Sequence, residues 1–165
     1  MKGLKNKLTA MAVLALTAAG CTVGGHHGNG ADNFFSAFTT FRDAAWPYAQ
    51  PIVYTVDTIA DSICPAGTLM LTLRHTPGYE FSNIWLEVNY DLGDSCARID
   101  TFNIILADVY GKWRGSGPGN TFRISDTIRT DMPLRRHQRI GLRHIMRTDT
   151  LDEIEQIGLS YLPAE

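Results

Sequence analysis

From Pro51 onward the apolar residues recur at every second position, and this periodicity constrains the fold more than any other feature of the chain. Ile52, Tyr54 and Val56 alternate with Val53, Thr55 and Asp57. Leu69, Leu71 and Leu73 alternate with Met70, Thr72 and Arg74, and Ile84, Leu86, Val88 and Tyr90 with Trp85, Glu87 and Asn89. The same beat continues through Phe102, Ile104 and Leu106, then Phe122 and Ile124, Ile140 and Leu142, and Ile157, Leu159 and Tyr161. Successive side chains of a strand point to opposite faces, so this period describes half-buried strands with one wet face. Breakers separate the runs: Cys64-Pro65-Ala66-Gly67, Thr76-Pro77-Gly78, Asp91-Leu92-Gly93-Asp94 and the glycine-rich stretch 115–119. About seven short strands with almost no helical pattern predict a mainly β protein built as a single antiparallel β-sandwich. Two sheets let every strand bury one face, which a single open sheet of this length would not. Leu151 to Gln156 reads either as a helical turn or, from Ile154, as the start of the last strand. No internal repeat or second linker interrupts residues 34–165, which are taken as one domain.

The first residues belong to a different regime. Lys2, Lys5 and Lys7 precede an apolar run from Leu8 to Ala19, and small residues at Ala18, Ala19 and Gly20 lead to Cys21. A basic head, an apolar centre and small residues at the cut describe a secretory signal peptide over residues 1–20. The run is shorter than the roughly 20 apolar residues a membrane span needs. Cysteine directly after Ala-Ala-Gly resembles a lipobox, which implies a diacylglyceryl thioether on Cys21 and cleavage before it; an ordinary secretory signal with a chance cysteine is the alternative. Each buried methylene of such a lipid contributes about 0.8 kcal/mol, so two or three chains hold a domain on its membrane without spanning it. Residues 21–33, rich in glycine and asparagine, then read as a flexible tether. The tether has no acidic run, which favours a domain facing the periplasm. His26 and His27 lie adjacent on that tether and lack the geometry of a metal site.

The remaining chemistry is sparse. The formal net charge is −2, and three lysines leave with the signal peptide; no basic face suits nucleic acid. Outside the cytoplasm Cys64 and Cys96 could bond to one another, or remain two separate buried thiols. Phe34, Phe38 and Phe41 suit one face of a helix capped by Asp32 or Asn33, or with Phe35 form an irregular apolar lead-in; in both cases the rings read as core. There is no G-x-S-x-G elbow and no ligand spacing for zinc. His75, His137 and His144 are scattered, and His144 shares the alternation of Ile140 and Leu142, as a hydrogen-bonded, partly buried histidine would. The run 111–119 lacks the Lys-Ser/Thr of a P-loop, and its glycines suit a tight loop. No catalytic residue, metal or cofactor is expected, and the chain reads as a non-enzyme. Trp46, Trp85 and Trp113 either cover the ends of the core or stack on sugar or a partner, which leaves an envelope carbohydrate-binding module as the alternative reading. Arg135, Arg136, Arg139 and Arg143 form a solvated basic stretch or one that meets anionic headgroups.

Taken in order, these residues resemble the gliding-motility lipoprotein H (GldH) family. The resemblance starts at Phe41 and Trp46 and the strand ending at Asp57, and continues through Leu71-Thr72-Leu73-Arg74, Tyr79 and Asn83-Ile84-Trp85-Leu86. Asp100-Thr101, Leu106-Ala107-Asp108 and the block from Gly111 to Gly117 follow, then Met146-Arg147 and Leu151 to Leu159. The arginine-rich connection between Gly119 and Met146 is a departure. The resemblance implies a non-enzymatic envelope component that works with the gliding machinery and the type IX secretion apparatus, with other envelope proteins as partners. For the matching residues we expect an ion network of Arg74, Asp108 and Arg147 beside the 111–119 turn, covered by Trp113.

Overall fold

The alternating segments form strands on the faces that their periodicity assigns. The computed structural model describes residues 34–59, 63–64, 66–91 and 97–164. The expected signal peptide (1–20), the expected lipidation site Cys21, the expected tether (21–33) and the second cysteine, Cys96, lie outside the described residues. In chain order the strands are β1 (Phe35–Thr40), β2 (Trp46–Pro47), β3 (Ile52–Thr55), β4 (Ile63–Cys64), β5 (Gly67–His75) and β6 (Asn83–Asp91). There follow β7 (Ala97–Ile105), β8 (Phe122–Arg129), β9 (Leu134–Arg135), β10 (Arg139–His144), β11 (Thr150–Leu151) and β12 (Ile154–Pro163). Two four-stranded antiparallel sheets, ordered β1-β12-β5-β8 and β3-β10-β6-β7, make a sandwich, with two short ladders, β11-β2 and β4-β9, beside them.

The strand number exceeds the expected seven for two reasons. The two-residue ladders are too short to show a period, and the phenylalanine-rich lead-in is a strand. Phe35 ↔ Tyr161 through Thr40 ↔ Gln156 pair it with β12, so neither a helix nor an irregular segment forms there. Its rings divide accordingly: Phe35 and Phe41 enter the core, whereas Phe34 and Phe38 stay partly exposed on the outer side. Leu151 closes the short ladder, and Asp152-Glu153 turn the chain into β12 at Ile154, with Glu153 in the left-handed region (φ 68°). Among the described residues the helical content is one 3-10 turn, Arg42–Ala44.

The inward residues of both sheets join one apolar core, in which Leu69, Leu71 and Leu73 of β5 and Ile157 and Leu159 of β12 lie opposite Ile84, Leu86 and Val88 of β6. Fully burying each such side chain contributes about 1.5–3 kcal/mol. Tyr54 ties the sheets together: its hydroxyl, on β3, donates to the Ile157 carbonyl of β12 at 2.9 Å. At the β7/β8 edge Arg129 donates to the Tyr90 hydroxyl at 2.9 Å and lies 3.6 Å from Asp100.

Strand direction gives the sandwich two distinct ends. β1 and β5 run away from the end at which Phe34 lies, and β6 and β12 run back toward it. Segments 41–51, 76–82, 106–121 and 145–153 therefore all emerge at the opposite end. Nine-residue strands such as β5 separate the two ends by about 30 Å.

Candidate functional site

The end opposite Phe34 carries a loop held by a dense set of backbone bonds. Leu106 and Ala107 donate to the Ser82 carbonyl at 2.8 and 2.9 Å, Ala107 bridges Trp113, and Arg114 donates to the Leu106 carbonyl at 2.7 Å. Asp108 closes the tip from inside: its Oδ1 accepts the amides of Tyr110 and Lys112, each at 2.9 Å, while its own amide donates to the Lys112 carbonyl. A short side-chain acceptor that captures nearby amides is what fixes an Asx-type turn. Gly115 is required here, because it sits at φ 79° and a Cβ would come within 2.1 Å of the Arg123 carbonyl oxygen. The result is a rigid hairpin-like loop with Val109 and Tyr110 at its tip.

Behind the tip, Trp113 folds inward onto a buried aromatic cluster. Its ring lies 4.7 Å from His75 and 6.1 Å from Phe122, with Tyr79 also against His75. His75 ends β5 fully buried, with Nδ1 2.8 Å from the Thr76 carbonyl oxygen. A carbonyl only accepts, so Nδ1 carries the proton, and Nε2 is left without a hydrogen bond. Burial pushes the His75 pKa down, opposed by the Thr76 carbonyl and by the Glu155 charge. Burial likewise pushes the Tyr79 phenol up, out of reach of ordinary pH. Thr76 donates its hydroxyl to Glu153, which fixes the turn beneath the cluster.

The other end histidine, His144, is also fully buried. The expected hydrogen bond is no more than a poorly aligned one to the Trp46 backbone, with no well-formed partner at either ring nitrogen; Trp46 and Tyr48 pack their rings edge-on against it at 5.2 and 5.6 Å. Burial lowers its pKa, with the Trp46 backbone partly opposing.

The structure does not bring Arg74, Asp108, Arg147 and Trp113 into one network. Strand alternation puts Arg74 on the outer face of β5, and the register shift between Ile154 and Gln156 inserts Glu155, whose carboxylate lies 2.8 Å from the Arg74 Nε. Asp108 is consumed by its own loop amides. Arg147 borders a shallow surface depression of about 410 Å³ with Tyr48, Met146, Thr148 and Asp149. Trp113 covers His75, not an ion pair. The tryptophans thus take three roles: Trp46 is wholly buried, Trp113 half-buried, and Trp85 exposed on the outer face of β6. Of the basic stretch, Arg143 pairs with Glu87 at 2.9 Å, and Arg136 and Arg139 are exposed.

Cys64 is buried and makes no disulfide among the described residues, with the Tyr161 hydroxyl 3.4 Å from its sulfur; that hydroxyl lies 2.9 Å from the Met132 carbonyl, to which it donates. Among the described residues no three of His, Cys, Asp and Glu gather as a metal would require. Among the same residues no helix is long and apolar enough to cross a membrane. A depression of about 280 Å³ lies over Gly141 on the outer face of the second sheet, lined by Val53, Asn89, Glu87 and Arg143 among others. The sequence reading passed over Val109 and Tyr110. The signal was there, in an aspartate three residues before a glycine that turns at φ 78°.

A family model described as GldH lipoprotein matches residues 33–160, which takes in nearly all of the sandwich. The sequence matches none of the curated proteins.

Proposed function

Because this chain belongs to the GldH lipoprotein family, a membrane-anchored envelope lipoprotein of the gliding-motility type, we propose that it serves the gliding machinery and the associated type IX secretion apparatus as a non-catalytic scaffold. Cys21 carries the lipid once residues 1–20 are removed, residues 21–33 are the tether, and the sandwich faces the periplasm. Other envelope proteins of that machinery are its partners, and no nucleic acid is involved. The observation that carries this reading is the extent of the family match, which runs from the end of the tether into the last strand. The architecture is consistent with work done by contact: the described surface offers shallow depressions and a rigid loop, and its buried histidines are packed in aromatic rings. A deletion strain scored for spreading on a surface and for secretion of exported proteins tests the role. Loss of both is expected, and normal behaviour in both refutes it. Labelling with radioactive palmitate, lost in Cys21→Ala, tests the anchor independently.

One observation favours a second reading. Trp85 stands on the outer face of β6, two residues from Glu87, which with Asn89 borders the depression over Gly141. An aromatic ring beside hydrogen-bonding side chains is how a sugar is held. Glycan-array binding that disappears in Trp85→Ala supports a carbohydrate-binding module; an array without signal rejects it.

A further inference from the structure

We propose that the loop between β7 and β8 is a docking prong, with Val109 and Tyr110 as its anchors, for a partner protein whose surface offers an apolar pocket bordered by carboxylates. The proposal rests on the scaffold reading above and names the surface through which such a scaffold acts. Val109 is 93 % exposed and Tyr110 91 %, so neither side chain contributes to the stability of the domain. Single exposed apolar residues are ordinary on a protein surface. These two differ in being adjacent and in being held by a turn that is fixed from beneath. The Asp108 carboxylate binds two amides of the tip, the Gly111 amide donates to the Asp108 carbonyl at 3.0 Å, and the bridge from Ala107 to Trp113 clamps the base.

A pre-ordered tip loses little conformational freedom on association, and tyrosine is among the side chains that most often anchor interfaces. The charge of the loop selects the partner. Its acid, Asp108, is exposed and bonded to its own amides, while Lys112 and Arg114, also exposed, stand on either side of Trp113, Arg114 with one guanidinium nitrogen on the Ile105 carbonyl at 3.2 Å. The loop therefore presents two cations against one carboxylate, a positive balance that complements carboxylates around a pocket and disfavours a basic surface. Placement supports a protein occupant over the anchoring membrane. The tether enters at Phe34, and the prong stands at the opposite end of the sandwich, about 30 Å farther along the strands.

The test uses the full-length lipoprotein in a strain lacking its own copy. A photoreactive p-benzoyl-phenylalanine replaces Tyr110 or, as the control at the tether end, Arg136, and intact cells are irradiated. The expected result is one discrete protein adduct from position 110, absent from position 136, whose partner peptide, identified by mass spectrometry, lies beside Asp or Glu residues. The Val109→Ser, Tyr110→Ser double variant is expected to keep its melting temperature while co-purification of that identified partner falls about tenfold or more. An adduct with lipid, with a second copy of this chain, or no adduct at position 110 overturns the proposal, as does undiminished co-purification by the double variant. The two readings fail separately. If the deletion strain moves and secretes normally while the adduct persists, the machinery assignment falls and the prong stands. If the deletion strain is defective but the double variant restores it fully, the prong falls alone.

Discussion

Gly158→Ala is expected to destabilise the sandwich by about 2–3 kcal/mol, and the reason is an aromatic ring on the wet face. Gly158 sits in β12 directly across from Phe38 of β1, and the Phe38 ring lies over it and reaches to within 5.8 Å of the Arg123 guanidinium on β8. A Cβ at position 158 would stand 2.1 Å from the ring's Cδ1 and 2.7 Å from the Ala37 carbonyl oxygen, against the roughly 3.5–4.0 Å of an ordinary carbon contact. The ring must therefore swing out. Phe38 is 41 % exposed; with about 150–250 Å² at stake for a phenylalanine, displacement re-exposes on the order of 100 Å² of apolar surface, at most about 2.5 kcal/mol. The lost contact with Arg123 adds about 0.5–1 kcal/mol. The residual crowding against Ala37 costs about 1 kcal/mol, the low end for overpacking. Replacing glycine in a strand returns about 0.5–1 kcal/mol through the unfolded chain. The ring estimate is an upper bound, so the balance falls at about 2–3 kcal/mol, or roughly 6–12 °C of melting temperature for a domain of this size.

The assay is a double-mutant cycle by thermal and denaturant unfolding of Gly158→Ala, Phe38→Ala and the double variant. Removing the ring removes most of the clash, so the double variant should be more stable than the sum of the two single effects by about 1 kcal/mol or more. Additive effects, or a Gly158→Ala protein as stable as the parent, would show that the ring does not occupy the space above Gly158.

Acid should weaken the fold through its two buried histidines. Burial lowers both pKa values in the folded state, so as pH falls below the unfolded value of about 6.5 the unfolded chain takes up protons that the native state refuses, and stability declines until the folded pKa values are reached; the unfolding free energy at pH 5 should be below that at pH 7.5, and the His75→Phe, His144→Phe variant should narrow the gap. Tyr54→Phe removes the hydroxyl that bridges β3 to the Ile157 carbonyl and the Thr39 hydroxyl and should cost about 0.5–1.5 kcal/mol in urea unfolding, the net worth of a buried hydrogen bond, because the Ile157 carbonyl keeps its place in the β-ladder. The half-exposed pair Arg143–Glu87 should matter little: Glu87→Gln is expected to change stability by less than about 1 kcal/mol, and by less again at high salt.

How much of this molecule was legible in its sequence depends on what each residue packs against. Leu69, Leu71, Leu73, Ile84, Leu86, Val88, Ile157 and Leu159 were readable because each turns into the same core, and burial imprints the strand period on the chain. β1 escaped because its period is masked. Its inward positions after Phe35 are Ala37 and Thr39, weakly apolar, while its most apolar outward residue, Phe38, covers a glycine of β12 that lies far away in sequence. The phenylalanine spacing that remains imitates a helix. Position was legible for His144, but its company was not: Trp46 and Tyr48 reach it from a segment that no local pattern connects to β10.

The candidate site was less legible than the fold for a related reason. Alternation assigns Arg74 to the outer face of β5, yet its partner is decided by the register of β12 and by the one extra residue, Glu155, that its bulge admits. A motif that places Arg74, Asp108 and Arg147 in order says nothing of which charge meets which. In the same way the glycines of 111–119 announce a tight loop, but only the Asp108 contacts reveal that the loop is held rigid from within and that Val109 and Tyr110 are what it presents. Periodicity records the residues that the core claims. A protein that works by contact acts through residues the core leaves outside, and those are recognised by the local bonds that hold them there.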